Sequence, residues 1–483
     1  MVELSREALS AIVISSTLAA YVIIGLVFSR RVKSGEDFLI AGGKLSYIPL
    51  FGTYLATYFS AVSMLGWPGD MYAFGISAAW LAIFWALGTV LTILVARRFW
   101  HYRKLITPPD FMTARYESKL LELLVGVTSF VALIFGIIVQ YVAMGIAWSV
   151  ALGRSFVEGV LITTATMAII IAAGGLVSVA WSDVLKAAIF VVAILGGGAY
   201  IFANVVNPLE CMHKVAAIDP GFFDPFRVYA PTGVVMLFFI WTLGVATHAQ
   251  YLQRITAAKS LKTAFFQYTS WYFVTVIYVF LLLLAMAAKT LFPTGLPAGW
   301  TRDYVLPALF YHYAPPAIYS LFLAGVIAAA LSTADSVIQL ATSIFIKNAV
   351  ELARGKPFSS KARLNIGRAL AFSLAFLVGA AAIFRPAAII YLAGYAWGLL
   401  AVGYFAPVFF GLYWRQASKT AAILSVLIGL VFFIVAQALA LAGLWKVPVP
   451  PVALGSVAAL ISYIAIAFAT KPTPPPEVTP GAK

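Results

Sequence analysis

Two stretches of this 483-residue sequence carry residue types that could hold a small cation. The first is Tyr54-Leu-Ala-Thr-Tyr-Phe-Ser-Ala-Val-Ser-Met-Leu-Gly-Trp-Pro-Gly69, in which hydroxyls at Thr57, Ser60 and Ser63 precede Gly66, Pro68 and Gly69. Glycine and proline weaken a helix and free carbonyls that can face a cation. The same composition also suits close helix–helix contact, with Pro68 near a helix end. The second stretch is 324–339, AGVIAAALSTADSVIQ. There Ala329, Ser332 and Thr333 stand at i, i+3 and i+4 and share one helical face. Two hydroxyls beside a backbone carbonyl make a hard-oxygen surface suited to Na⁺. Alternatively, each hydroxyl bonds back to the carbonyl four residues earlier. Asp335 is a functional carboxylate if it lies within a membrane, or an ordinary one if it sits at a cytoplasmic end.

The sequence offers little to any catalytic alternative. The four histidines, His101, His213, His248 and His312, are scattered, and no nucleophile–base pair or phosphate-binding loop stands out. Cys211 is the only cysteine, which excludes an intramolecular disulfide and a cysteine metal cluster. No soluble segment is long enough to hold an enzyme domain.

The elements that must position these residues follow from composition. Hydrophobic residues make up 63% and charged residues 10%, far below the roughly 25% charged of a soluble chain. Stretches of about 20 or more apolar residues recur between short charged segments. Segments such as 266–292 do not alternate as barrel strands would, so the spans are helices. The expected fold class is an all-α polytopic membrane protein with thirteen spans: 9–29, 45–71, 74–96, 120–150, 156–174, 180–204, 231–253, 266–292, 316–346, 364–384, 386–413, 419–443 and 451–470. With the N-terminus outside, the inside connections hold 24 of the 32 Lys and Arg residues, Lys186 and Arg254 included. That bias explains the net charge of +15 as a topology signal rather than nucleic-acid binding. The outside loop 205–230 reads as a cap or irregular loop, and the Pro-rich 471–483 as a disordered cytoplasmic tail.

Gly174-Gly-Leu-Val-Ser-Val-Ala-Trp-Ser-Asp183, Leu331-Ser-Thr-Ala-Asp-Ser336 and Tyr395-Ala-Trp397, leading to Pro407 and Leu412-Tyr-Trp-Arg415, together resemble the sodium/solute symporter family. Phe38-Leu-Ile-Ala-Gly-Gly and Thr107-Pro-Pro-Asp-Phe-Met-Thr-Ala-Arg115 also fit, so the resemblance runs from about residue 35 to 430. It implies a LeuT-type fold with two inverted five-helix repeats. Residues 1–40 would be an accessory helix and first inside loop, 41–413 the core (repeats 45–204 and 231–413), and 414–470 accessory helices. The first helix of each repeat would be broken, the second at Thr242, Gly244 and Thr247. The family's sodium site then falls on carbonyls of Ala56, Phe59 and Ala329 and hydroxyls of Ser332 and Thr333. Asp183 matches the cation exit path, or else caps an interfacial helix. Lys186 stands where relatives often carry glutamine. Tyr58 replaces an aspartate of proline transporters, and Ala82 a sugar-binding glutamate.

The substrate is expected beside the broken helices. The candidates are Ser60, Ser63, Met64, Trp67, Gln140, Tyr141, Trp241, His248, Tyr395 and Trp397. The expectation is a sodium-coupled symporter, not an enzyme, importing a small carboxylate or amino-acid-like solute by alternating access. Its partners are the solute, Na⁺ and the lipid bilayer, with no nucleic acid and no obligatory protein partner. Its place is the cell membrane, with the C-terminus cytoplasmic. A proton-coupled version using Asp183, Asp335 or His248, and a transporter-like sensor, remain open alternatives.

Overall fold

The computed structural model describes residues 5–29, 43–173, 176–384, 387–445 and 450–475. Within them the chain is helical, and pairing between strands is limited to one isolated bridge, Leu45 with Ala258. Eleven helices among the described residues are long and apolar enough to cross a membrane. This is fewer than the thirteen predicted. The predicted span 45–71 is interrupted, and 156–174 carries a shorter apolar helix over Phe156–Ile170. Gly174-Gly175 and Arg385-Pro386 lie outside the described residues, as does most of the 38–43 segment.

We number the helices that matter to the site α1 (Arg6–Ser29), α2 (Tyr47–Tyr58), α3 (Trp67–Phe74), α4 (Ala79–Phe99), α5 (Lys119–Leu152), α6 (Phe156–Ala173), α7 (Leu176–Asn204), α8 (Pro231–Ala246), α9 (Ala249–Ala257), α10 (Trp271–Leu291), α11 (Pro316–Ile344), α12 (Ser360–Ile383), α13 (Ile389–Leu400), α14 (Ala406–Tyr413), α15 (Lys419–Leu441) and α16 (Pro451–Ala469). Helix α11 is the centre of the bundle. Every residue from Phe322 to Ile344 is buried, and it packs on α5, α7 and α1. Helices α15 and α16 pair with each other at the periphery, and their outer faces carry Val431, Ile434, Ile461 and Phe468. A hydrophobic exterior of this kind is what lipid requires.

Two helices are interrupted, and sequence chemistry explains both breaks. Helix α2 ends at Phe59, whose backbone is extended (φ −88°, ψ 112°). A π-helical turn, Val62–Gly66, follows, and Pro68 then opens α3, where its missing N–H costs no helical bond. The break therefore begins at Phe59 and Ser60, ahead of the Gly66 and Pro68 that suggested it. Gly75 closes α3 with φ +66°, and a Cβ there would lie 2.2 Å from the Phe222 carbonyl oxygen. Only glycine satisfies both constraints.

The second interruption falls between α8 and α9, at Thr247 and His248 (ψ 26° and 128°), while Thr242 and Gly244 stay helical. The His248 side chain caps α9 by accepting the Gln250 N–H at 3.3 Å. Leu45, just before α2, pairs with Ala257 and Lys259 at the end of α9 through two bonds of 3.0 Å. So α2 and α9 share one end of the bundle, and the two interrupted helices run antiparallel.

Two peripheral expectations change. Loop 205–230 holds a helix, Pro208–Ile218, capped by Asn207, and a 3-10 turn, Pro220–Phe223. The start of the predicted tail is ordered. The Thr473 N–H donates to the Ala417 carbonyl at 2.8 Å, and Arg115 donates to the Thr473 carbonyl at 2.9 Å. Residues 476–483 lie outside the described residues.

Candidate functional site

The first interruption meets α11 where the sequence placed its oxygen-bearing face. The Ser332 hydroxyl lies 2.9 Å from the carbonyl oxygen of Ala56 and 2.9 Å from that of Ala329. The Thr333 hydroxyl lies 3.5 Å from the same Ala329 oxygen. Ala56, Phe59, Ala329 and Ser332 are fully buried and Thr333 is 3% exposed. The i, i+3, i+4 spacing creates this face, and the extended backbone at Phe59 ends α2 beside it. Buried hard oxygens suit a monovalent cation, which prefers such ligands to nitrogen or sulfur.

The substrate candidates divide. Gln140, His248 and Trp397 come together with Gln250 and Thr333 around a cavity of only about 10 Å³. The Gln140 side-chain oxygen accepts the Ala61 N–H at 3.0 Å, tying α5 to the break. Trp397 lies 5.2 Å from His248 and 5.7 Å from Trp241, ring to ring. Its indole N–H has no hydrogen-bond partner, and neither does the side-chain N–H₂ of Gln250. Trp241 and Trp67 also line a vestibule of about 480 Å³ with Asp70, Tyr229 and Tyr391. That volume is of ordinary ligand-pocket size.

Ser63 bonds the Tyr278 hydroxyl at 3.0 Å, and Trp67 packs edge-on against the same ring at 5.0 Å. Ser60 accepts the Val62 N–H at 3.2 Å within the break, and Met64 is buried in the π-helical turn. Tyr395 reaches the vestibule, but its ring rests on Phe135 and Phe433. Tyr141 is buried with its hydroxyl unpartnered and contributes to neither cavity.

Tyr58, the residue that departs from proline transporters, bonds Thr89 at 3.1 Å and packs on Trp85, Tyr251 and Trp271. Trp85, Trp271, Tyr251 and Tyr278 form the aromatic wall between the two interruptions, and sequence reasoning did not single them out. A scatter of aromatics on three helices far apart in the chain has no linear signature.

Sequence reasoning also missed a buried charge network. Asp183 does not cap a helix end. Helix α7 begins at Leu176, and Asp183 sits two turns in, fully buried. It accepts from the Thr53 hydroxyl at 2.7 Å and from the Lys186 ammonium at 3.1 Å. Lys186 reaches Asp335 at 2.5 Å, which places Asp335 inside the bundle rather than at its surface. Arg254 donates to Thr53 at 3.0 Å, to Ser336 at 3.2 Å and to Thr57. Gly52 allows this approach, since a Cβ there would lie 2.6 Å from Val184 on α7. The loop-charge pattern includes Lys186 and Arg254, yet they are 1% and 0% exposed. The i, i+3 spacing of Asp183 and Lys186 was the one available signal.

Two interrupted antiparallel helices enclosing polar groups define a secondary transporter of the LeuT-type inverted-repeat class. The sequence model of the Sodium:solute symporter family matches residues 38–429, and the chain belongs to that family. It is therefore a sodium-coupled symporter of small organic solutes, and not an enzyme. Among curated relatives, a high-affinity proline transporter of Bacillus subtilis is 24% identical over 84% of this chain and 88% of its own length. A sodium/pantothenate symporter of Haemophilus influenzae is 25% identical over 85% and 87%. The solved structure of a Na⁺-coupled sialic acid symporter in a substrate-bound outward-open state superposes with a TM-score of 0.80. It covers 97% of this chain and 99% of that one at 18% identity, a likeness of fold.

Proposed function

We propose that the chain imports a small carboxylate or amino-acid-like solute, with one Na⁺ held by Ala56, Phe59, Ala329, Ser332 and Thr333. The observation that carries the sodium assignment is the Ser332 hydroxyl 2.9 Å from carbonyls of both helices. The solute class rests on the unpartnered N–H groups of Trp397 and Gln250 beside His248, which suit an acceptor-rich ligand. An unmatched buried donor costs about 1–3 kcal/mol, so these groups gain most from a carboxylate.

The cavity of about 10 Å³ is too small for a solute, whereas the vestibule of about 480 Å³ is not. The vestibule lies on the side of Val228 and Tyr229, at the end of the 205–230 loop that the charge bias assigns to the outside. The arrangement fits an outward-facing protein with its solute site contracted. Na⁺ would fasten α11 to the end of α2, shaping the Gln140–His248–Trp397 pocket one side chain away from Thr333. Loss of Na⁺ past Asp183 to a low-sodium cytoplasm would undo that contact. One Na⁺ crossing 100 mV supplies about 2.3 kcal/mol and a tenfold gradient about 1.4 kcal/mol, enough for a solute ratio of roughly a few hundredfold.

In this reading residues 41–413 form the transporter core, flanked by accessory helices at 1–40 and 414–470. The N-terminus faces outward and the C-terminus the cytoplasm. Uptake of labelled carboxylates, amino acids and sugars into proteoliposomes, with and without an imposed Na⁺ gradient, tests the proposal. Accumulation driven by a proton gradient in Na⁺-free buffer, or of sugars alone, would sink it.

A further inference from the structure

We infer that Lys186 and Arg254 are tethered cations filling a second cation place, and that they restrict this transporter to a single bound sodium. The inference rests on the sodium reading of the Ser332–Thr333 face. One turn further along α11 lies another oxygen-rich cluster. It holds the carboxylates of Asp183 and Asp335 and the hydroxyls of Thr53, Thr57 and Ser336, none of them more than 5% exposed. The two clusters are joined directly, because the Ser336 hydroxyl donates to the Ser332 carbonyl at 2.9 Å. Two carboxylates and three hydroxyls off three helices would by themselves attract a metal cation. Here the protein supplies the positive charge. Lys186 spans the two carboxylates at 3.1 and 2.5 Å, and Arg254 takes the three hydroxyls.

The charge balance decides the consequence. Two carboxylates, one ammonium and one guanidinium sum to zero, so a sodium added here would leave an uncompensated charge pressed against two buried cations. Such a charge is strongly disfavoured. Removing Lys186 alone leaves one net negative charge, which a sodium would neutralise.

The two cations are not equivalent. Arg254 is held through both terminal nitrogens, Nη2 among the three hydroxyls and Nη1 on the Gln250 carbonyl at 3.1 Å, whereas Lys186 is a point charge on a flexible stem. Lys186 and Asp335 also border a cavity of about 40 Å³ with Ser178, Ser182 and Gln339. One Asp335 oxygen, on a residue 5% exposed, has no hydrogen-bond partner. That space admits a water or small ion and no solute. Arg368, exposed at the cavity rim, is screened by solvent. The place vacated by an ammonium, plus this cavity, is therefore sized for Na⁺.

Equilibrium binding of ²²Na⁺ to the purified full chain in nanodiscs, counted at saturation, tests this directly. The wild type should bind one Na⁺ per chain, Lys186→Gln two, and Lys186→Gln/Asp335→Asn one again. If Lys186→Gln is lost from sodium-free preparations, Na⁺ but not choline should restore its yield. Failure of Na⁺ to restore it, or a folded Lys186→Gln that still binds one, overturns the inference. So does a wild-type count of two, whatever the variants' yield, and it leaves the sodium reading standing. A wild-type count of zero overturns that reading itself.

Discussion

Removing the Ser332 hydroxyl should weaken sodium binding by one to two orders of magnitude while leaving the protein folded. The oxygen sits 2.9 Å from two carbonyls that belong to different helices, Ala56 at the end of α2 and Ala329 on α11. With Na⁺ among these three oxygens, Ser332→Ala deletes one neutral dipole facing a buried charge. Interactions of a polar group with a charge are worth about 1.5–3 kcal/mol net, which converts to roughly 10- to 150-fold in apparent affinity. The fold should tolerate the change, because the same substitution removes only a methylene-bound hydroxyl from a helix buried without a break from Phe322 to Ile344. Thr333→Ala should follow in the same direction and by less, since its oxygen stands 3.5 Å from Ala329. The assay is a sodium titration of ²²Na⁺ binding, with tryptophan fluorescence as a second readout from the Trp85–Trp241–Trp397 cluster. Ser373→Ala, on the exposed side of α12, is the control and should match the wild type. A Ser332→Ala titration within twofold of that control refutes the assignment of this face to sodium.

The other consequences are more local. Trp397→Phe keeps the ring contacts but deletes the unpartnered N–H, so solute affinity should fall several-fold while sodium binding alone is unchanged; solute competition and ²²Na⁺ binding measured together check it. Gly244→Ala would put a Cβ 2.4 Å from the Trp397 carbonyl oxygen, and overpacking of that kind costs about 1–3 kcal/mol. It should lower the melting midpoint and slow uptake more than Gly136→Ala, where nothing lies within 4 Å. Arg254→Lys keeps the charge but cannot reach the Gln250 carbonyl and the Thr53, Thr57 and Ser336 hydroxyls together, and should reduce transport without changing expression, as uptake against surface abundance would show. In loop 205–230, burial pushes the Asp219 carboxyl up, but Arg227 and Lys289 outweigh it and hold the carboxyl below the usual carboxylate range. A depressed value means the contact stabilises the loop above the unfolded pKa of about 3.9 and is lost as pH falls through the folded one. Hydrogen-exchange protection of residues 205–230, corrected for the intrinsic rate at each pH, should therefore fall on acidification below about pH 4, and Asp219→Asn should remove that loss of protection.

Much of this architecture was legible because a membrane imposes simple rules. Apolar length gave the helices, and the Ala329–Ser332–Thr333 spacing gave a face that the fold then set against α2. The breaks were legible only in outline. Gly66, Pro68 and Gly244 drew attention as the residues that weaken helices, yet the backbone departs from helical form at Phe59 and at Thr247–His248. Neither Phe59 nor His248 is a helix breaker by type. What permits the break is tertiary: Gln140 takes the Ala61 N–H that α2 leaves behind, and His248 caps α9 itself.

The charge pattern misled at two positions for a related reason. Counting Lys and Arg by loop assumes that a cation near a span end reaches water. Lys186 and Arg254 instead turn inward, because Asp183 and Asp335 on α7 and α11 give them partners that no single segment reveals. The two features that sequence read least well thus meet at one place. The end of α2 carries Ala56 toward the proposed sodium face at Ser332 and Thr53 and Thr57 toward the charge network, one turn apart on the same short helix. Any movement of α2 must disturb both at once, so on the proposed assignment a sodium at one and the tethered cations at the other would not act independently.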